Sequence, residues 1–247
     1  MSSVFSEIIF VHFRIFGKEF NLEKDIVKHF FTGTGSSYDS IVNLFTYGAD
    51  RYWKKKLLAK VPKSRKILDL ACGTGIVAFK LAKMNPCCKI VGVDMMWEYL
   101  VEAKNKASLN SCSEVQLICA RAEEVKLRET FDCVTSSYIP KYVAADVLLK
   151  NISLNLKSGG VLILHDFAYP TNFVFQRLWH LHMLFMKIVG RPLFPKWRNV
   201  FDELAYFVKN SRWIPEYLEA LKRFGFVDIQ VEKYTAGSAA IISAVKK

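Results

Sequence analysis

A chain of 247 residues with 51% apolar content is long enough to fill one sizeable α/β core. A charged fraction of 23% beside 14% aromatic residues excludes a disordered chain. The 35 Lys and Arg residues against 23 Asp and Glu leave a formal charge of +12, which asks for an anionic partner without saying which one.

Cys72, Cys87, Cys88, Cys112, Cys119 and Cys133 form neither the disulfide framework of a short secreted chain nor a pair of ligand-spaced doublets for zinc. They are expected as reduced, packed thiols in a cytoplasmic protein, with no metal site. Met1 to Phe16 is apolar enough to resemble a targeting segment, yet Glu7, His12 and Arg14 interrupt it and no small-residue cleavage site follows. It reads as mature sequence. No uncharged apolar run reaches the roughly 18 residues that a bilayer span requires.

In chain order, residues 1–65 are expected to be a helical cap with a Gly-rich break at Gly33-Thr34-Gly35. From Lys66 short β-rich runs alternate with helix-length segments, the pattern of βαβ units and a mostly parallel sheet. The expected strands are Lys66 to Leu70, Lys89 to Val93, Val115 to Cys119, Phe131 to Ser136 and Val161 to His165, with a helix over Trp97 to Ser108. Phe167 to Ser211 stands outside the alternation as a second, lid-like addition. Val227 to Tyr234 and Ser238 to Val245, around Thr235-Ala236-Gly237, read as an antiparallel hairpin. These elements make seven strands in one domain: cap 1–65, ligand-binding core 66–166, lid 167–211, last helix and hairpin 212–247.

The run Ile67-Leu68-Asp69-Leu70-Ala71-Cys72-Gly73-Thr74-Gly75 leads from a buried strand into a glycine turn and a helix from Ile76 to Met84. Glycines let the backbone approach a ligand where a Cβ would block it. A dinucleotide would suit this turn too, with Ala78 in place of the third glycine. Asp69, just before the turn, favours a ligand cation over a phosphate. Asp94, at the end of the second strand, stands where a carboxylate accepts from both ribose hydroxyls, which either ligand would use.

The Asp69-to-Gly75 run resembles the first motif, D-x-A-x-G-T-G, of the class I S-adenosylmethionine-dependent methyltransferases. Leu156-Lys157-Ser158-Gly159-Gly160 and Phe224-Gly225-Phe226 are similar to that superfamily's L-K-P-G-G turn and G-F step. Within it, the chain from about Phe30 onward resembles the ubiquinone/menaquinone biosynthesis C-methyltransferase family. Tyr38 to Asn43 is similar to that family's Y-D-x-x-N element, and Asp50 to Lys54 to its H-R-x-W-K. Phe167 to Asn172 occupies the place of F-S-K-P, Leu204 to Ser211 resembles Y-x-Y-L-x-x-S, and Tyr234 to Ala240 resembles S-G-G-I-V-A. The resemblance implies a seven-stranded Rossmann-like α/β methyltransferase sheet with S-adenosyl-L-methionine as cofactor. The donor-binding residues it implies are Tyr38, Asp69, Ala71, Gly73, Thr74, Gly75, Asp94, Met95, Arg121, Ala122, Glu123 and Ser137.

The chain also departs from the pattern. Arg121-Ala122-Glu123 stands where the family has D-A-E or N-A-E, so the side-chain acceptor for the adenine amino group is missing, and adenine is expected to be held another way, through the backbone N–H of Ala122 or by Glu123. Ser137-Tyr138-Ile139-Pro140-Lys141-Tyr142 replaces S-F-G-L-R-N, keeping a charge at Lys141 without the arginine fork.

Methyl transfer from a sulfonium needs alignment and exclusion of water more than a catalytic triad. Methylation of a hydroquinone carbon also needs a base for a phenol proton. His165 and Asp166 end the fifth strand, and Asp166 aligns with the family's glutamate in L-E-F; Tyr138 and Lys141 are the further candidates.

Between Phe167 and Phe201 there is no acidic residue, while Arg177, Lys187, Arg191, Lys196 and Arg198 are basic. On a helix, Phe175, Leu178, Trp179, Phe185, Met186 and Val189 share one face, which suits a bilayer interface or the roof of a hydrophobic pocket. Arg51, Lys54, Lys55, Lys56, Lys60, Lys63, Arg65 and Lys66 add an acid-free basic run. The expected partners are a lipophilic small-molecule acceptor, a polyprenyl quinol, and an anionic membrane surface approached from the cytoplasmic side. No nucleic-acid recognition module is present, so nucleic acid is not expected. A homo-oligomer remains open. The competing readings are a methyltransferase of another lipid or hydrophobic small molecule and a non-catalytic scaffold that keeps the fold.

Overall fold

Ile67, Leu68 and Leu70 are a near-continuous apolar run, and such a strand is stable only with both faces covered. The computed structural model, which describes residues 14–15, 18–19, 22–109 and 115–247, buries all three completely. The N-terminal region holds β1 (Arg14–Ile15) paired antiparallel with β2 (Lys18–Glu19), then α1 (Leu22–Phe31), α2 (Tyr38–Phe45) and α3 (Ala49–Ala59). The helical expectation for 1–65 is therefore corrected at β1 and β2, whose backbone groups bond across the pair, Arg14 with Glu19 and Ile15 with Lys18, instead of along a helix. The rest of Met1 to Phe16, and Cys112, lie outside the described residues.

The central sheet follows. It is built from β3 (Lys66–Leu70), β4 (Lys89–Asp94), β5 (Gln116–Cys119), β6 (Phe131–Ser137), β7 (Leu156–Phe167), β8 (Phe226–Tyr234) and β9 (Ala239–Lys246). Its order is β5-β4-β3-β6-β7-β9-β8, parallel through β7 and antiparallel for β9 and β8. This is the seven-stranded α/β sheet with a terminal hairpin expected from the sequence. The hairpin inserts its second strand, so Ala240, Ile241 and Ile242 of β9 are buried while β8 takes the edge.

β7 is longer than expected. Phe131 pairs with Leu156 and Cys133 with Val161, so residues 157–160 stand opposite Asp132 alone. The expected turn is thus a bulge inside the strand, where Gly159 takes a positive φ of 74°.

Helices α6 (Ala145–Asn155) and α10 (Trp213–Arg223) pack one apolar layer through Leu148, Leu149, Ile152, Tyr217 and Leu221. The opposite layer joins α3, α4 (Ile76–Met84) and α5 (Trp97–Leu109) through Leu57, Leu58, Leu81 and Ala103. A third core lies above the sheet, where Phe30, Ile41 and Phe45 of the N-terminal cap meet Trp197, Val200 and Phe201. The lid begins at α7 (Phe173–Phe185), whose Asn172 carboxamide oxygen accepts from Val174 N at 2.9 Å as its N-cap. A π turn (Met186–Gly190), the short α8 (Arg191–Leu193) and α9 (Arg198–Asn210) complete it. A Cβ at Gly190 would lie 2.6 Å from the Phe201 ring, so glycine there is what lets α9 close on the lid.

Candidate active site

The sheet reverses its winding around β3, which has β4 on one side and β6 on the other, and parallel sheets bind ligands at the strand ends beside such a point. After β3 the backbone enters the left-handed region at Ala71 (φ 54°), Gly73 (φ 55°) and Gly75 (φ 82°), and the chain turns into α4. Gly75 shapes this turn, because a Cβ there would meet Phe79 at 2.4 Å. Asp94 braces it: one carboxylate oxygen accepts from Gly73 N at 2.7 Å and the other from Met96 N at 2.8 Å. Asp69 accepts from the Thr135 hydroxyl at 2.7 Å through one oxygen, while its other oxygen is buried without a hydrogen-bond partner. Burial pushes the Asp69 carboxyl up to about 7 and that of Asp94 up to about 6. Asp69, with one oxygen unpartnered, and Asp94, which meets only backbone N–H donors, suit a ligand that brings a positive charge and hydroxyl donors.

Two adjoining cavities, of about 80 and 30 Å³, share Tyr38, Ala71, Gly73, Ser137 and Tyr138 and form one cleft at the ends of β3, β4 and β6. The larger adds Asp94, Met95, Arg121, Ala122 and Glu123; the smaller adds Asp69 and Thr74. Eleven of the twelve expected donor-binding residues thus line this cleft, and Gly75 sits just behind it. Tyr38 stacks on Trp197 with ring centroids 5.9 Å apart. The Thr74 hydroxyl donates to Asp39 at 2.5 Å. Arg121 reaches across to Glu123 at 2.5 Å and to the Met95 sulfur at 3.9 Å.

A separate apolar cavity of about 270 Å³ lies under the lid, walled by Phe45, Trp53, Phe167, Trp179, Met183 and Val208 among others. The indole N–H of Trp53 donates to Thr235 at 2.8 Å, which fixes the ring in the wall. The partition between cleft and cavity is one aromatic layer thick: Tyr138 lines the cleft, Phe167 lines the cavity, and their rings stack at 4.8 Å and 23°.

Polar side chains converge on this partition. The Tyr138 phenol donates to Asp50 at 2.6 Å, and Lys54, which lines the cleft, donates to the same carboxylate at 2.8 Å. Burial alone would raise the Asp50 carboxyl, but the Lys54 charge and the hydrogen bonds of Lys54 and Tyr138 hold it below its usual value. His165 is fully buried, with Nδ1 3.2 Å from the Ser137 hydroxyl and Nε2 unpartnered, and burial beside Lys54 drives its pKa down to about 3. It is a neutral imidazole at every ordinary pH. Asp166 pairs with Lys141 at 2.6 Å and accepts from Lys141 N at 3.0 Å and Phe167 N at 2.7 Å. Burial pushes Asp166 up and Lys141 down. Of the four candidates for a base, only Tyr138 is among the residues lining the cleft. Asp166 and Lys141 are turned toward each other, and their pairing pins the 138–142 loop.

Sequence reasoning passed over Asp50, whose partner Tyr138 is 88 residues away, and Tyr99, which lines the cleft and shares a hydrogen bond with Thr34 at 2.7 Å. Nor did it foresee that cations of the basic run find acidic partners within the chain. Lys54 is buried against Asp50, Lys60 pairs with Glu232, and Lys66 pairs with Glu129 at 2.7 Å. Lys54 is thus an internal cation, while Lys60 and Lys66 are paired with acids at the surface.

The model of the ubiE/COQ5 methyltransferase family matches residues 19–246, and the chain belongs to that family. It is 27% identical over 226 residues to demethylmenaquinone methyltransferase of Staphylococcus aureus strain JH9, covering 88% of this chain and 92% of the relative. Among solved structures, geranyl diphosphate C-methyltransferase of Streptomyces coelicolor aligns with a TM-score of 0.56 at 16% identity, over 81% of this chain and 79% of that one. Human N-acetylserotonin methyltransferase, solved with S-adenosylmethionine, aligns with a TM-score of 0.58 at 18% identity, over 89% and 59%. Phosphoethanolamine N-methyltransferase 2 of Haemonchus contortus aligns with a TM-score of 0.56 at 18% identity; it covers 80% of this chain, which spans 52% of that longer protein. These structural likenesses carry the fold.

Proposed function

We propose that this family member transfers a methyl group from S-adenosylmethionine to a ring carbon of a polyprenyl quinol, as in the making of menaquinone or ubiquinone. The observation that carries the reading is the apolar cavity of about 270 Å³ set one aromatic layer from a cleft with two buried carboxyls whose pKa burial raises. When bound, the donor supplies a methyl group already activated on a positive sulfur.

The rest is the work of this chain. Asp94 keeps lone pairs for ribose hydroxyls beyond its two backbone donors, and Asp69 offers a buried carboxylate to the cationic end. The open backbone at Gly73, where a Cβ would meet nothing nearer than 3.8 Å, lets the ligand lie against the turn. Ala122 and Glu123 face the adenine end of the cleft, Arg121 being drawn onto Glu123. Phe167 and Trp53 give an aromatic acceptor two ring faces and keep water out. The Tyr138 hydroxyl donates a hydrogen bond to Asp50, so its oxygen is free to accept from the hydroxyl of an acceptor ring. A proton passing from that ring to Tyr138, as Tyr138 passes its own to Asp50, would leave electron density on the ring carbon. With the stacked Tyr138 and Phe167 rings parted, that carbon would take the methyl group as the S–C bond breaks and its electron pair stays on sulfur. The hydrogen on that carbon would then leave as a proton, restoring the aromatic ring. A lipid-tailed acceptor is met at a membrane surface. Among the described residues no helix is long and apolar enough to cross one.

Side-by-side incubation of the protein and donor with demethylmenaquinol or with phosphatidylethanolamine tests the reading. Methylated quinol is expected. Methylated phospholipid alone would favour another lipid acceptor, and no donor binding by calorimetry would leave a scaffold.

A further inference from the structure

Nine of the nineteen large apolar side chains exposed among the described residues fall within residues 173–193, the continuous helical rod of α7, the π turn and α8. Val174, Leu178, Leu181, Phe185 and Ile188 are 61%, 56%, 62%, 46% and 64% exposed. Their spacing of four, three, four and three residues draws one stripe along a helix. The opposite side of the rod is committed inward: Trp179 and Met186 are buried and, with Met183, line the apolar cavity. A surface stripe of this length is costly in water and marks a docking face.

Its charge setting selects the partner. Residues 167–201 contain no acid. Arg177 lies over the Phe173 ring at 4.9 Å, and Lys187, Arg191 and Arg198 gather around Asp202 of α9 at 3.1, 3.6 and 3.8 Å. Three cations sharing one carboxylate, with Arg177 and the exposed Lys196 beside them, leave a positive rim next to the apolar stripe. A second protein would have to supply a complementary apolar groove and acids in register. A bilayer with anionic headgroups supplies both properties without register.

We propose that the α7 stripe lies in the interface of an anionic phospholipid bilayer, with Leu181 and Ile188 among the acyl chains and the Arg177/Lys187/Arg191 flank at the phosphates. The same helix is then both membrane contact and cavity roof, so a tailed acceptor passes between Phe175 and Leu178 into the cavity without crossing water. The docking stands on the stripe and its rim; the passage rests on the proposed function.

Sedimentation with vesicles of phosphatidylcholine, with and without phosphatidylglycerol, tests the docking on the full chain. Wild type should partition onto the anionic vesicles, and Leu181→Glu/Ile188→Glu should lower that partition about tenfold or more. Neither residue lines the cavity, so donor affinity, thermal unfolding and methylation of a short-tailed acceptor in solution should stay as in wild type, and only vesicle-embedded acceptor should be lost. Arg177→Glu/Lys196→Glu should reduce binding to anionic vesicles and make what remains less sensitive to salt than wild type. Equal sedimentation of wild type and the double glutamate variant overturns the proposal. So does failure of wild type to bind either vesicle, including the case in which it forms a dimer that the glutamates dissociate. Docking with no methylation of any quinol would instead overturn the proposed function and leave the docking intact.

Discussion

The phenol of Tyr138 on the loop after β6 donates to the carboxylate of Asp50 on α3 at 2.6 Å, closing the partition between the glycine cleft and the apolar cavity. Both groups depend on Lys54, whose ammonium is buried against the same carboxylate. Asp50→Ala strands that ammonium and should cost about 3–5 kcal/mol of stability. Tyr138→Phe removes one hydrogen bond to a charged group and should cost about 1.5–3 kcal/mol. It should also lower kcat about tenfold or more while donor affinity holds. Urea unfolding and steady-state kinetics read these, and equal small losses for both variants would mean that the pair is solvated.

Asp94→Ala should weaken binding of S-adenosylmethionine about tenfold to a hundredfold, since it removes charged acceptors for ribose hydroxyls in a buried site. Calorimetry on a variant that unfolds near the wild-type temperature checks this. Unchanged affinity would take Asp94 out of the donor site.

Asp69 and Asp94 hold their protons more tightly in the folded protein, at about 7 and about 6, than in the unfolded chain near 4. Their contribution to the stability of the donor-free protein is therefore greatest below about pH 4, falls as pH rises from about 4 to 7, and is level above that. Donor binding runs the other way, because a cation and hydroxyl donors favour the ionised forms. Affinity should climb from about pH 5 to about pH 7 with release of protons, read by calorimetry in buffers of different ionisation heat. Affinity that is flat across this window would contradict the carboxylate roles.

Asp166→Ala leaves the Lys141 ammonium alone in a fully buried position and should destabilise by about 3–5 kcal/mol. The double replacement Lys141→Met/Asp166→Leu should recover most of that loss and retain donor binding. If the double variant folds and binds donor but transfers no methyl group while Tyr138→Phe is fully active, Asp166 rather than Tyr138 serves the proton.

Met183→Trp narrows the acceptor cavity without touching the cleft. It should raise KM for a tailed quinol about tenfold and leave donor affinity unchanged. A shifted donor affinity with unchanged KM would assign the cavity to another ligand.

What was legible in the sequence is what consecutive residues decide. Asp69 to Gly75 fold as one strand-turn unit, and Asp94 closes the next strand, so the cleft could be read from two short segments. The partition could not, because Asp50 and Tyr138 meet only after 88 residues of chain have crossed the sheet. Lys54 looked like one more cation in a solvated run, and its burial follows from Asp50 one helical turn earlier. The apolar character of α7 was plain, but which side chains turn inward depends on where α9 closes over Gly190. The pairing of β1 with β2 had no signal in an apolar segment with helical composition.

The central claim is that a cationic methyl donor in the glycine cleft meets a quinol ring held on the lid side of Tyr138 and Phe167, whose stacked rings part for the transfer. Carbon NMR of demethylmenaquinol incubated with the protein and donor labelled in its methyl carbon tests it most directly. The account predicts the label on a ring carbon of the product. A label on a ring oxygen, or an unlabelled quinol beside protein that has bound the donor, would contradict it.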